Sequence, residues 1–163
     1  VRRMSSAIDE LIATRRGEIP TLVTPVLFAP LIEAVLANEA TALRALKREL
    51  RVEIAEGVRT SAAAGAVRNI VAILLENARV HGNGQVTLVA RDASGWLQVA
   101  VRDEGPGLPS AIGEQLQNSD RGQEQSVSKS IGLGLAMALA HGQFGRLEWR
   151  ATEPATVRVY LPI

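Results

Sequence analysis

The clearest periodic signal in the chain lies at 62–81. Val67, Ile70, Val71, Leu74, Leu75 and Ala78 recur at spacings of three and four, which predicts an amphipathic helix with one unbroken apolar face. Gly82-Asn83-Gly84 follows and ends the helix, because these residues tolerate a left-handed turn. Polar and apolar positions then alternate at 85–92 and 96–102, predicting two strands joined as a hairpin through Ala93-Ser94-Gly95. Strands at 146–151 and 156–162 close the chain.

Upstream, Pro30 fits the first turn of a helix over 30–50, with Leu31, Val35, Leu43 and Leu46 as its buried stripe. Strands are expected at 21–26, as an edge, and at 51–56. Met4, Ile8 and Leu11 are spaced by four and three, the seam of a coiled coil or bundle. A short helix packed on its own domain has the same pattern. The stretch 109–130 is polar, rich in Gln and Ser and aperiodic, so it reads as a long loop. Gly132-Leu133-Gly134-Leu135 then leads into a helix at 136–141. Strands and helices mix without strict alternation. The expected fold is α+β, a two-layer α/β sandwich whose mixed, mostly antiparallel sheet carries helices on one face. Residues 1–16 read as the end of a dimerisation or linker helix, and 17–163 as a single domain.

Composition narrows the function. With 163 residues and 47% hydrophobic positions, the chain can bury a full core. Aromatics make up only 3%, so that core is aliphatic. A net charge of +1 offers no basic excess to neutralise a phosphate backbone, and no nucleic-acid partner is expected. The absence of cysteine excludes thiolate metal sites and cysteine nucleophiles. His81 and His141 are the only histidines, too few for a histidine-built metal centre. Residues 19–32 form an uncharged run, but three prolines interrupt its fourteen residues, and no membrane contact by this fragment is expected. The start at Val1 suggests a piece of something larger. The basic group Arg44, Lys47, Arg48 and Arg51 reads as a solvated helix end.

Three local signals carry chemistry. Asn77 and His81 share the border of the apolar face at about 100° per residue, while Glu76 points away from that face. An amide oxygen at such a border suits Mg²⁺, which keeps waters and takes phosphate oxygens. Asp103-Glu104-Gly105-Pro106-Gly107 follows a strand directly. A carboxylate there can accept from an exocyclic amine such as that of adenine, with glycines admitting a flat ring. Gly132-Leu133-Gly134 opens a helix, where free amides and the dipole favour phosphate. Each signal alone also has a purely structural reading, as a helix cap, a turn and a helix start.

In this order, the Asn-bearing helix, the strand ending in Asp-x-Gly-x-Gly, the long loop and the Gly-x-Gly helix resemble the GHKL ATPase superfamily. Within it the chain is similar to the ATP-binding catalytic domain of a bacterial sensor histidine kinase. The resemblance covers about 21–163 and implies the Bergerat-type ATP-binding fold, with 109–130 as a lid. It implies Asn77 as the ligand of Mg²⁺ bridging the ATP phosphates, and Asp103 as the partner of the adenine amine. Gly105 and Gly107 would shape the adenine pocket, Gly132, Leu133 and Gly134 would face phosphate, and His81 and Thr156 would border the nucleotide. His141-Gly142 matches the His-Gly of many such kinases, with Gly142 as a helix cap.

The departures are Ile73, where these kinases commonly carry Asn and hydrolytic relatives Glu, and Val80, where Lys or Arg is frequent. Arg79 and Arg121 could compensate for Val80. No aromatic residue stands in the lid, and Pro154 stands where Gly is usual. Ile73 cannot take a proton, which disfavours ATP hydrolysis as the main activity.

The implied activity is transfer of the ATP γ-phosphate to a histidine on a dimerisation domain outside these residues. The implied partners are that domain of the same parent protein, a parent homodimer and a response regulator. The resemblance further implies a cytoplasmic domain whose parent is anchored in the bacterial inner membrane. The alternatives are a nucleotide-gated interaction module and an anti-sigma-factor-type serine kinase.

Overall fold

The computed structural model describes residues 24–105, 128–150 and 155–163. The elements run β1 (Val26–Leu27), α1 (Phe28–Ala45), β2 (Leu50–Ile54), β3 (Arg59–Thr60), α2 (Ala64–His81), β4 (Val86–Ala93), β5 (Trp96–Arg102), α3 (Ser128–Gly142), β6 (Arg146–Arg150) and β7 (Thr156–Pro162). Five strands form one mixed sheet in the order β2-β4-β5-β7-β6, while β1 and β3 pair separately. The two-layer α+β sandwich expected from the pattern is the architecture found. The segment 1–16 and most of 109–130 lie outside the described residues, as do Gly107, Arg121 and Pro154.

The apolar face of α2 is the centre of the core. Val67, Ile70, Val71, Leu74 and Leu75 are fully buried or nearly so, against Leu88, Leu97, Val99, Val159 and Leu161 from alternate positions of the sheet. The β4–β5 hairpin turns on Ser94 and Gly95, both left-handed at φ 55° and 84°. The Asp92 carboxylate accepts the Gly95 N–H at 2.9 Å. That geometry matches the right-handed twist of the strands it joins.

Some local expectations shift, while the one parallel pair is what makes the expected sheet mixed. The first helix ends at Ala45 rather than near 50, because Lys47 adopts a left-handed φ of 57° and turns the chain into β2. The β2–β4 pair is parallel, with α2 crossing between the two strands. Parallel strands require such a crossover. β3 is an unforeseen strand, and Thr60 within it donates its hydroxyl to the Pro162 carbonyl at 2.8 Å.

The helix α3 starts eight residues before the expected 136, so Gly132 and Gly134 lie inside it. Leu133, Ala136, Leu139 and Ala140 bury against the core, and this packing outweighs the weak helix propensity of the two glycines. Beyond α3, Phe144 rather than Gly142 takes the left-handed position, at φ 60°. Neighbouring Gln143 accepts the Ala63 N–H at 2.8 Å, which caps the start of α2.

Candidate nucleotide site

Asn77 is half-buried on the border of α2, as its place on the helix predicts. It lines a cavity of about 230 Å³ together with Ile73, Glu76, Val80, His81 and Gly132. Gly132 of α3 faces it, and a methyl added there would lie 3.7 Å from the Asn77 amide oxygen. The structure therefore brings Asn77, His81 and Gly132 to one place. Glu76, expected to point elsewhere, also reaches the rim, since the cavity is wider than the helix border. Leu133 turns its side chain into the core, and Gly134 faces open space.

Asp103 stands just beyond the end of β5 and is buried, with 7% of its surface exposed. Its Oδ1 accepts the N–H of Gly105 at 2.6 Å and, more loosely, that of Asn83 at 3.4 Å. Its own N–H donates to the Ala155 carbonyl at 3.1 Å, which ties it to the residue preceding Thr156 on β7. Thr156 itself pairs with Arg102 across β5 and β7.

Gly82 packs directly on Asp103. A Cβ there would overlap the carboxylate carbon and the Ala78 carbonyl oxygen, so only glycine fits this approach. The turn after α2 is thus part of the site and more than a helix stop. Glu104 reinforces it, accepting the Gln85 N–H at 2.8 Å while its own N–H donates to the Asn83 carbonyl at 2.9 Å.

Cations are arranged differently from the sequence expectation. Arg79 does not replace the missing cation at Val80. It pairs with Glu39 of α1 at 3.0 Å, with the Glu39 side chain only 11% exposed. Val80 is 55% exposed. Arg48, expected on a solvated face, is engaged with the backbone at the end of α2: Nε donates to Gly84 at 2.7 Å, Nη1 to Arg79 at 2.8 Å and Nη2 to Ala78 at 3.1 Å. Neither contact has a local sequence signature, since the partners are some thirty to forty residues apart.

Among the described residues, no group of three or more potential metal ligands occurs. One amide oxygen at the cavity, with Glu76 at its rim, fits a cation that keeps its waters and takes phosphate oxygens, as Mg²⁺ does. The same donors do not make a protein-only cage.

A sequence profile of the histidine kinase-, DNA gyrase B- and HSP90-like ATPases matches residues 62–163, which hold every site residue named above. The chain belongs to this ATPase family. A curated relative, a probable sensor histidine kinase of Mycobacterium tuberculosis, is 26% identical over 170 residues and 99% of this chain. The chain spans 44% of that relative's length. Among solved structures, the catalytic domain of the histidine kinase ThkA superposes with a TM-score of 0.72 at 19% identity, covering 85% of this chain and 94% of that one. Full-length ShkA in complex with AMPPNP superposes at 0.69 and 18% identity, covering 96% of this chain and 35% of that one. These structures establish the fold that the ATPase domain shares with them. No helix among its described residues is long and apolar enough to cross a membrane.

Proposed function

We propose that this ATPase domain is the catalytic part of a sensor histidine kinase, binding Mg²⁺-ATP between α2 and α3. In this reading it passes the γ-phosphate to a histidine on a dimerisation domain of the same parent protein. Asp103 accepts the adenine amino group, Gly82 and Gly105 shape the wall around it, and His81 and Thr156 border the nucleotide. Asn77 would hold Mg²⁺, which supplies charge neutralisation on the phosphate oxygens when bound. Gly107, outside the described residues, would join the adenine pocket by the resemblance of the Asp-x-Gly-x-Gly motif alone.

The reading rests above all on one juxtaposition. A buried carboxylate, oriented by backbone N–H groups, packs on Gly82, the residue that follows His81 of the Asn-lined cavity. Ile73 lines that cavity where a hydrolytic enzyme needs a base, which favours transfer to a histidine over attack by water. Neutral imidazole is nucleophilic near neutral pH without such help. The phosphorylated histidine then serves a response regulator, and the parent is a homodimer anchored in the inner membrane. These last assignments follow from the resemblance of the sequence to sensor histidine kinases.

Titration of ATP and GTP with and without Mg²⁺ tests the site. ATP should bind in a Mg²⁺-dependent manner, and GTP poorly, because guanine presents a carbonyl where adenine presents an amine. Asp103→Ala should weaken ATP by roughly 10–150-fold, the loss of about 1.5–3 kcal/mol for a bond to a charged acceptor. Equal affinity for the two nucleotides would remove Asp103 from its role. Steady ATP hydrolysis without an acceptor, abolished by Glu76→Gln, would instead favour a hydrolase using the rim carboxylate.

A further inference from the structure

Arg48 lies outside the cavity, yet its guanidinium spends three N–H donors on one structural junction. Two go to the Ala78 and Arg79 carbonyls in the last turn of α2, where Ala78 also accepts the Gly82 N–H at 3.1 Å. The third goes to Gly84, on the far side of the turn. The same turn meets Asp103 through the Asn83 N–H and through the close approach of Gly82. The Gly82–Gly84 turn is therefore held between Arg48 behind and Asp103 in front.

The backbone at Arg48 is itself pinned. Its N–H donates to the Leu43 carbonyl at 2.9 Å, and the next carbonyl, of Glu49, accepts the Val86 N–H at 2.9 Å. The left-handed Lys47 turns the chain so that the side chain crosses to α2. A guanidinium suits this place because its donors form a planar fork that reaches several carbonyls at once, with a positive charge against the negative end of the helix dipole. An ammonium group is a point donor and cannot span the carbonyls before and after the turn.

We propose that Arg48 is a positioning residue for nucleotide recognition, bracing the Gly82–Gly84 turn so that the Asp103 carboxylate is held where adenine meets it. This rests on the nucleotide reading above and extends it to a residue with no contact to the cavity. Recognition through a single carboxylate demands placement within about half an ångström. Loosening the turn therefore acts on base selectivity more than on the fold. The ion pair of Glu39 with Arg79 provides a control, because it also joins α1 to α2 but leaves all three Arg48 bonds intact.

The test measures ATP and GTP affinities by calorimetry for the whole chain and for Arg48→Ala, Arg48→Lys and Glu39→Gln, with circular dichroism to confirm folding. Arg48→Ala should bind ATP about tenfold more weakly, and its preference for ATP over GTP should shrink in proportion. Guanidinium chloride at low millimolar concentration should recover part of the ATP affinity, and ammonium chloride should not. Arg48→Lys should stay folded with reduced preference, whereas Glu39→Gln should keep the wild-type preference. If Arg48→Ala fails to fold, Arg48→Lys decides. A folded Arg48→Lys with the full preference, or recovery by ammonium as good as by guanidinium, overturns the role of Arg48 alone. A wild-type chain with no preference for ATP overturns the nucleotide reading with it.

Discussion

Replacing Gly82 by alanine is the sharpest single perturbation of the site. The new methyl meets two groups that cannot easily retreat. The Ala78 carbonyl is held by the Gly82 N–H at 3.1 Å and by Arg48 at 3.1 Å. The Asp103 carboxylate is buried and accepts the Gly105 N–H at 2.6 Å. Either the turn moves off the end of α2 or the carboxylate swings away and gives up that bond. Overpacking of this kind costs about 1–3 kcal/mol, and the bond to a charged acceptor about 1.5–3 kcal/mol. The two are alternatives, so a loss of about 2–3 kcal/mol in urea unfolding is expected. For a domain of this size that is a drop of about 5–10 °C in Tm. ATP affinity should fall at least about tenfold, because either escape displaces the proposed adenine acceptor. Gly95→Ala is the matched control. Its φ of 84° is strained for alanine, yet nothing lies within 4 Å of the added methyl, so stability drops without any change in affinity. Gly82→Ala protein that binds ATP like the wild type would show that Asp103 does not need this wall.

Other outcomes follow from the same geometry. Gly132→Ala should raise the stability of the nucleotide-free domain by about 0.5–1 kcal/mol, since the position is helical. The methyl would meet Ile73 at an ordinary 3.6 Å, and thermal unfolding that shows a loss would contradict the packing of α3 on α2. Arg79→Ala should destabilise by about 1–3 kcal/mol by leaving the nearly buried Glu39 carboxylate unpaired. Its ATP affinity should stay near wild type, and a large fall would mean that Arg79 does serve the phosphates. The chain alone should not phosphorylate itself, because His81 and His141 both ride on helices of the nucleotide domain. Radiolabelled ATP should give an acid-labile product only when a histidine-bearing dimerisation domain is added. Label on the chain alone that is lost with His81→Gln or His141→Gln would refute this.

Much of this domain is legible along the chain because its determinants are local. The face from Val67 to Ala78, the strands at 96–102 and 156–162 and the Ser94-Gly95 turn each follow from neighbours within one helix turn or one hairpin. The order of Asn77, the Asp103 motif and Gly132 announces a nucleotide site for a similar reason. Each is a short motif, and their order along the chain carries the resemblance to the GHKL ATPases.

What only the tertiary structure decided depends on groups far apart in sequence. The parallel β2–β4 pair needs a crossover through α2 to bring the chain back alongside β2, which no alternation pattern encodes. The early start of α3 reflects burial of Leu133 and Ala136 overriding two glycines whose local preference favours a break. In the sequence Arg48 reads as a solvated cation and Arg79 as a substitute for the one missing at Val80. One became the brace of the Gly82 turn and the other the partner of Glu39, because packing α1 on α2 brings a helix end to the first and a carboxylate to the second. Charge type is written in the sequence, whereas the partner of each charge is chosen only when the helices meet.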